Sequence, residues 1–199
     1  INRAPGADAA KVEAALKENW EIMGHGFVQG PMHKLPNQAE SIMATVETIQ
    51  RMAGKPPVGW ESPGLTEDDN TLDCLSQAGI EYVADWVLDD QPVWLQAKPK
   101  PVLSVPYTVE INDIPMMLLQ QHRSDELLLR GIDQFERLWQ ESETIPRVMS
   151  ISVHPYITGV PHRIGYFEKL LDHIQSKAGV VIQTGEQISN WYREQVPFK

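Results

Sequence analysis

Short apolar runs alternate along the chain with segments in which apolar residues recur at every third or fourth position. The second pattern is clear over residues 37–53, where Ile42, Val46 and Ile49 fall on one face and Gly54 follows. This spacing predicts an amphipathic helix that the glycine ends. Comparable patterns predict helices over residues 8–19, 66–78, 124–139, 161–174 and 185–192, with Thr66 as the N-cap of the second of these.

The apolar runs themselves predict short strands, over residues 20–24, 57–60, 80–84, 102–105, 145–153 and 180–182. About six alternations of strand and helix without a break in composition indicate one α/β domain with parallel strands over residues 1–199. Because a closed barrel of this kind needs about eight strands, we expect N-terminal strands to be missing from this chain. The proline-interrupted stretch 88–101 is long enough to be a functional excursion.

Charge and cysteine content exclude several classes of partner. The chain carries 17 Lys and Arg against 27 Asp and Glu, a net charge of −10. Without a basic cluster we expect no nucleic-acid partner. No apolar stretch approaches the ~20 residues of a membrane helix, which predicts no membrane partner. The single cysteine, Cys74, excludes an intrachain disulfide and favours a reducing, cytoplasmic location.

Three polar residues stand directly after apolar runs: His25, Asp85 and His154. In barrels of strands and helices, the C-terminal ends of the strands carry the chemistry. A carboxylate and an imidazole delivered to one rim can form an acid–base pair. Taken singly, Asp85 is more simply a turn cap and His154 a hydrogen-bonded core residue. The three together favour a catalytic site.

Further residues near these positions could bind a ligand. Trp86 either packs in the core or forms the wall of a substrate pocket. Tyr107, Asn112 and Asp113 lie in a run with few apolar positions. That composition suits hydrogen bonding to a polar ligand, or equally a structural turn with Asx motifs.

The histidines give little support for a metal site within the chain. Histidines that bind a metal from one helix face are typically one turn apart, but the residue one turn after His25 is Gln29, a poor ligand. His33 could approach only if the Gly30-Pro31 turn folds back. We therefore predict no metal ligand here and no required cofactor, with zinc as the alternative.

Four segments, in this order, resemble the polysaccharide deacetylase superfamily, also called NodB-homology or carbohydrate esterase family 4. Met23-Gly24-His25-Gly26 resembles the second of the family's five motifs, and Trp60-Glu61-Ser62-Pro63-Gly64 stands where the third is expected. Ala84-Asp85-Trp86 resembles the fourth motif, and Ile151-Ser152-Val153-His154 the fifth. Residues 105–113 are similar to a segment of the branch that contains the metal-independent allantoinases.

The resemblance implies a distorted (β/α) barrel that lacks its first motif. That motif, with the base aspartate and a metal-binding aspartate, would precede Ile1. Gln29 replaces the second histidine of the second motif, and Glu61 replaces the arginine of the third. The Asp–His–His set of the zinc-dependent members is therefore incomplete, as the resemblance to the metal-independent branch also implies.

The function implied by the resemblance is hydrolysis of a carbon–nitrogen bond other than a peptide bond. The substrate would be a cyclic amide such as a ureide, or an N-acetylated sugar. His154 would be the general acid toward the leaving nitrogen, held and tuned by Asp85, while His25 would polarise the carbonyl or orient water. Glu61 is a candidate base or substrate ligand.

Two alternatives remain open at this point. The first is a zinc-dependent sugar deacetylase that uses His25, His33 and an aspartate before Ile1. The second is a catalytically inactive barrel that binds a carbohydrate or a ureide. In each case we expect a homo-oligomer, because the resembling allantoinases associate and this chain would otherwise expose unpaired strand edges.

Overall fold

A computed structural model describes residues 7–199, with side chains from Ala10 onward, as two compact units. The first unit contains the residues up to Trp86 together with Pro92–Val105 and Gln183–Lys199. The second unit contains Val87–Gln91 and Pro106–Ile182. Each unit has its own apolar cores.

A four-stranded sheet forms the centre of the first unit. Its strands are β1 (Gly59–Trp60), β2 (Tyr82–Val83), β3 (Val93–Leu95) and β4 (Val102–Ser104), in the spatial order β1-β2-β4-β3. The β1–β2 and β2–β4 pairs are parallel, and β3 runs antiparallel to β4. Gly24 adds an isolated parallel bridge to Trp60. The predicted strand at 20–24 is therefore reduced to one bridged residue.

Four helices belong to the first unit: α1 (Ala7–Lys17), α2 (Gln38–Ala53), α3 (Thr71–Gln77) and α6 (Gly185–Gln195). Helix α2 matches the prediction, because the Asn37 side chain accepts from the Glu40 N–H at its start and Gly54, at φ 80°, ends it. Its apolar face packs on the sheet through a buried cluster. That cluster contains Ile42, Val46, Trp60, Leu75, Val83 and Val102.

Helix α6 packs on the sheet of the first unit, where Ile188 and Tyr192 contact the cluster around Tyr82 and Leu103. Thr184 and Gln187 form a capping box at its start. The Glu21 carboxylate accepts from the Glu186 N–H at 2.8 Å and from the Tyr82 hydroxyl at 2.7 Å, which joins the helix to β2.

Two long helices and a π-helical turn form the second unit. Helices α4 (Glu126–Glu141) and α5 (Ile164–Gln175) pack together around Phe135, Leu170 and Ile174. A π-helix over Ile114–Leu119 precedes α4 and contributes Met116 and Met117 to a second core. None of the helices within residues 7–199 has both the length and the apolar character that a membrane span requires.

Several predicted elements are wrong, for identifiable reasons. Residues 145–153 form no regular strand, since only Ser152 makes a bridge, to Asn112. Residues 180–182 are extended without a strand partner, and Val181 and Ile182 are exposed. The sequence also offered no indication of β3, which lies within the excursion 88–101.

The start of α3 also differs from the prediction. Thr66 does not cap this helix, because its hydroxyl donates to the Pro63 carbonyl and accepts from the Met32 N–H. The helix begins instead at Thr71. The acidic segment 67–69 therefore lies outside the helix. Its residues line the cavity described below.

Replacing Gly24 with alanine should destabilise the protein by about 1–3 kcal/mol through overpacking. A Cβ at this position would lie 2.2 Å from Cε3 of Trp60. The buried indole is also held by a 3.0 Å hydrogen bond from its Nε1 to the Ser62 hydroxyl, so it has little freedom to move. Urea unfolding measures the effect, with Gly30→Ala as the control, since a Cβ at Gly30 meets nothing within 4 Å. Equal midpoints for Gly24→Ala and the control would contradict this packing.

Candidate active site

A buried carboxylate contacts the imidazole of His154 in the second unit. His154 Nδ1 lies 2.7 Å from Asp113 Oδ1, and the His154 backbone N–H donates to Asp113 Oδ2 across 2.7 Å. The Thr158 hydroxyl donates to the same Oδ2 across 2.6 Å. The Asp113 side chain is fully buried, whereas 34% of the His154 side chain is exposed. The carboxylate thus fixes one edge of a ring that still reaches solvent.

Two short backbone arrangements create this contact. The Asp113 N–H donates to the Ser152 carbonyl, which aligns the segment ending at Asp113 with the one entering His154. The chain then turns sharply, because the N–H groups of Ile157 and Thr158 both donate to the His154 carbonyl at 2.9 Å. This turn returns the Thr158 hydroxyl to Asp113. Ile157 is fully buried in the core and anchors the turn.

The geometry determines which ring nitrogen is reactive. A carboxylate only accepts hydrogen bonds, so the proton between the two groups belongs to Nδ1 of His154. In the neutral ring, Nε2 then carries the lone pair, and in the charged ring it carries the transferable proton. Asp113 also offers a negative charge beside the imidazolium. The pair is therefore suited to donating or accepting a proton at Nε2.

Tyr107 and Asn112 lie next to this pair and support the backbone around it. The Tyr107 hydroxyl is 2.8 Å from the Ser152 hydroxyl and accepts from the Asn112 amide across 3.3 Å. The side-chain oxygen of Asn112 accepts from the Ile114 N–H at 3.0 Å, which is an Asx turn. The alternative of a structural turn with an Asx motif therefore explains the position of Asn112, which is buried.

His25 is exposed in the first unit, directly after the bridged Gly24. Its Nδ1 lies 2.7 Å from the backbone carbonyl oxygen of Glu61 and so carries the proton. The neutral ring therefore has its lone pair on Nε2, which is 3.5 Å from the side-chain nitrogen of Gln29. Glu61, the candidate base or ligand, contributes its main chain to this arrangement.

Asp85 is buried after β2 and holds the segment that carries the Glu61 carbonyl. Its Oδ1 accepts the Ser62 N–H and its Oδ2 accepts the Ser62 hydroxyl at 2.8 Å. The Ser62 hydroxyl in turn accepts from Trp60 Nε1. Asp85 is thus linked through Ser62 and the Glu61 carbonyl to His25.

These contacts change the predicted partner of His154. The sequence interpretation named Asp85 as the carboxylate that holds the imidazole, whereas the observed carboxylate is Asp113, previously assigned to ligand binding. No local signal joins positions 113 and 154, which are 41 residues apart. Thr158 and Ser62 could not be identified as site residues from the sequence either. Each hydroxyl contacts a carboxylate that is distant along the chain.

A cavity of about 440 Å³ lies in the first unit. Its wall includes the half-exposed indole of Trp86. The other residues that line it are Leu65, Glu67, Asp68, Asp69 and Leu72. Burial, and the neighbouring Asp85 carboxylate, raise the pKa of Glu67 to about 9. Sequence reasoning missed Glu67 because it placed this residue in the first turn of a helix.

The described residues do not fit the zinc set of the metal-dependent deacetylases. Within residues 7–199, no three His, Cys, Asp or Glu side chains come together in a group that could hold a metal ion. Gln29 is the side chain that approaches Nε2 of His25, and His33 is an exposed residue of a short 3₁₀ helix over Met32–Lys34.

Comparison with known proteins connects this fold to deacetylases. A Schizosaccharomyces pombe protein named "Putative polysaccharide deacetylase" is 32% identical over 177 residues, which are 80% of this chain and 55% of that protein. The crystal structure of a "probable Polysaccharide deacetylase" from Pseudomonas aeruginosa has a TM-score of 0.89 at 26% identity and covers 96% of this chain and 65% of its own. The crystal structure of Puue allantoinase has a TM-score of 0.88 at 23% identity with the same coverage, and shows likeness of fold alone. No protein-family model matches.

These matches confirm the family resemblance and the predicted α/β fold of that type. In sequence and in fold the chain is similar to members of the polysaccharide deacetylase, or NodB-homology, superfamily. It spans little more than half the length of the Schizosaccharomyces pombe protein and about two thirds of each of the two structures.

Proposed function

We propose that the protein hydrolyses a carbon–nitrogen amide bond other than a peptide bond. The observation that carries this proposal is the His154–Asp113 pair, in which a fully buried carboxylate holds Nδ1 of an exposed imidazole and leaves Nε2 free to exchange a proton. Hydrolysis of an amide requires such a group, because an amine leaves only after its nitrogen has been protonated.

The proposed reaction has two steps. Water adds to the amide carbonyl, its proton passes to a surrounding water molecule, and a tetrahedral oxyanion forms. The carbon–nitrogen bond then breaks, the oxyanion collapses to a carboxylic acid, and Nε2 of protonated His154 delivers its proton to the departing nitrogen. The Asp113 carboxylate stabilises the charged imidazole before transfer and retains the Nδ1 proton throughout.

His25 suits a role in orienting water rather than in polarising the carbonyl. With Nδ1 committed to the Glu61 carbonyl, the neutral ring offers only a lone pair at Nε2. A lone pair accepts a hydrogen bond from water but cannot donate one to a carbonyl oxygen. Of the two roles that the family resemblance gives His25, we propose this one.

Two substrate classes fit the proposed chemistry, and each has its own support. An N-acetylated sugar is favoured by the names of the relatives, which are polysaccharide deacetylases. A cyclic amide such as a ureide is favoured by Gln29, which stands where the zinc-dependent members have their second histidine, and by the fold shared with an allantoinase. A requirement for metal separates the two classes, and we propose that this protein needs none.

The full-length protein should therefore be assayed with N-acetylglucosamine oligomers, peptidoglycan and allantoin, before and after treatment with a chelator. We expect hydrolysis of one of these probes, measured as released acetate or as ring opening, that survives the chelator. Activity that the chelator removes and added zinc restores would instead establish the zinc-dependent deacetylase. Binding of a probe without turnover would favour the inactive binding protein.

A further inference from the structure

Tyr156 is an exposed aromatic residue that contacts the reactive imidazole of the second unit. It is 66% exposed, and its ring packs edge to face against the ring of His154. The two ring centres are 5.7 Å apart, and the ring planes meet at 65°. A single exposed aromatic side chain is common on protein surfaces and needs no special explanation. The contact with the group that we propose as the proton donor distinguishes this one.

A closed turn fixes the backbone that carries Tyr156. The carbonyl of His154 accepts from the N–H groups of Ile157 and Thr158, both at 2.9 Å. Pro155 holds the second position of this turn, where its restricted φ is favourable, and Tyr156 holds the third. The aromatic side chain therefore projects from a backbone with few accessible conformations.

The residues that follow Tyr156 anchor the turn on its inner side. Ile157 is fully buried, and its carbonyl accepts from the Arg163 guanidinium across 3.2 Å. A Cβ at Gly159 would collide with the carbonyl oxygen of Pro155, so the chain packs closely against itself there. The exposure of Tyr156 is thus a property of a fixed turn, which holds the ring beside His154.

The contact between Asp113 and His154 determines where a substrate meets this ring. Because Asp113 holds Nδ1, a substrate can exchange a proton only with Nε2 of His154. A substrate atom that does so lies about 3 Å from Nε2. Since the centre of the tyrosine ring is only 5.7 Å from that of the imidazole, a ring-shaped substrate bound there comes within reach of Tyr156.

An aromatic ring in this position is well suited to contact a ligand. Tyrosine offers a large apolar face and loses only two side-chain torsions when a ligand covers it. Ligand sites are typically lined by such rings, together with a few polar groups that fix the orientation. Tyr156 and Nε2 of His154 supply one group of each kind within the second unit.

We propose that Tyr156 is a substrate-binding residue whose ring packs against a ring of the substrate while the amide bond to be cleaved lies at Nε2 of His154. The chemistry required is a ring with an apolar face, which a sugar and a cyclic amide both provide. The part that Tyr156 plays in turnover rests on the proposed hydrolase function, whereas the ring contact does not. The experiment therefore measures binding and turnover separately.

Binding is measured by NMR on the full-length protein with ¹³C-labelled tyrosine rings. The probes are N-acetylglucosamine oligomers and allantoin, each added in large excess. We expect a bound probe to shift the Tyr156 signals, which are assigned by their absence in Tyr156→Phe. The signals of Tyr82, which is fully buried with its hydroxyl on Glu21, should stay in place and serve as the internal reference.

Turnover is measured as kcat and KM for whichever probe the protein hydrolyses. Tyr156→Ala should raise KM by about 5- to 20-fold, the range expected for loss of one aromatic contact. The effect on kcat should stay within about threefold, and the pH profile of kcat should be preserved, because the His154–Asp113 pair remains. Tyr156→Phe retains the ring face and should restore KM to within about twofold of the wild type.

Trp191→Ala is the matched control for this variant. Trp191 is also an exposed aromatic residue, but it lies on α6 in the first unit. Its removal should leave both KM and kcat unchanged. A rise in KM confined to Tyr156→Ala would support the ring contact, and the probe that shows the rise would identify the ring as a sugar or a cyclic amide.

The outcomes separate this proposal from the hydrolase function. Tyr156 signals that no probe shifts, or an unchanged KM in Tyr156→Ala, would overturn the ring contact even if the wild type hydrolyses a probe. A lower kcat with an altered pH profile and an unchanged KM would also overturn it, since Tyr156 would then act on His154. Shifted Tyr156 signals without hydrolysis of any probe would refute the hydrolase function and leave the ring contact established.

Discussion

Replacing His154 with alanine is expected to lower kcat by about 10²- to 10⁴-fold, the range typical of a general acid or base. The variant removes Nε2, the atom that the structure leaves free to transfer a proton, while KM should change little. The fold should survive, because Asp113 still receives the backbone N–H of residue 154 and the Thr158 hydroxyl. Steady-state kinetics on the substrate identified by the probe panel measures the effect.

His173→Ala is the matched control for this variant. Its imidazole also pairs with a carboxylate, since Nε2 lies 2.8 Å from Glu136, but the pair joins α5 to α4 at the surface. Because contacts of this kind near the surface contribute little to stability, kcat should stay within about twofold of the wild type. A loss below tenfold in His154→Ala, with the control unchanged, would exclude His154 as the proton donor.

Replacing Asp113 with asparagine should lower kcat by about 10- to 10³-fold without deleting either ring nitrogen of His154. The single carbonyl oxygen of the amide best satisfies the two donors now at Oδ2, the His154 N–H and the Thr158 hydroxyl. The NH₂ group is then directed at Nδ1, which must become an acceptor, so the ring proton moves to Nε2. The neutral ring therefore adopts the other tautomer, and the charged ring loses its stabilising carboxylate.

The ¹⁵N shifts of the His154 ring report this tautomer directly, alongside kcat. Thr158→Val provides the comparison, because it removes one of three donors to Asp113 and leaves the contact with Nδ1 in place. It should therefore lower kcat less than Asp113→Asn does. Wild-type kcat together with a wild-type tautomer in Asp113→Asn would show that the carboxylate does not control the ring.

The sequence predicted the elements whose signals are local. Helix α2 followed from the spacing of Ile42 and Val46 and from its caps, and the alternation of strands and helices indicated the α/β class. The positions of His25, Asp85 and His154 at the ends of apolar runs were also visible. Each of these inferences needs only residues within one turn or one strand.

The contacts that the sequence could not predict depend on long-range hydrogen bonds. Two carboxylates, Asp85 and Asp113, were available to His154, and only the bridge between Asn112 and Ser152 brings one of them to it. Glu67 was assigned to a helix because Thr66 has the composition of a cap. The Thr66 hydroxyl is committed to Pro63 and Met32 instead, and neither contact has a signature in the sequence.

The arrangement of helix α6 has a consequence for the order in which the chain can fold as it is synthesised. The second unit ends at Ile182, so nearly all of its contacts can form once that residue has left the ribosome. The first unit begins earlier in the chain but needs Gln183–Lys199, because α6 covers β2 and binds Glu21 through the Glu186 N–H. Within this chain, the unit that begins earlier is therefore completed later, and until then Tyr82 and Leu103, which are buried in the folded structure, lack the cover of Ile188 and Tyr192.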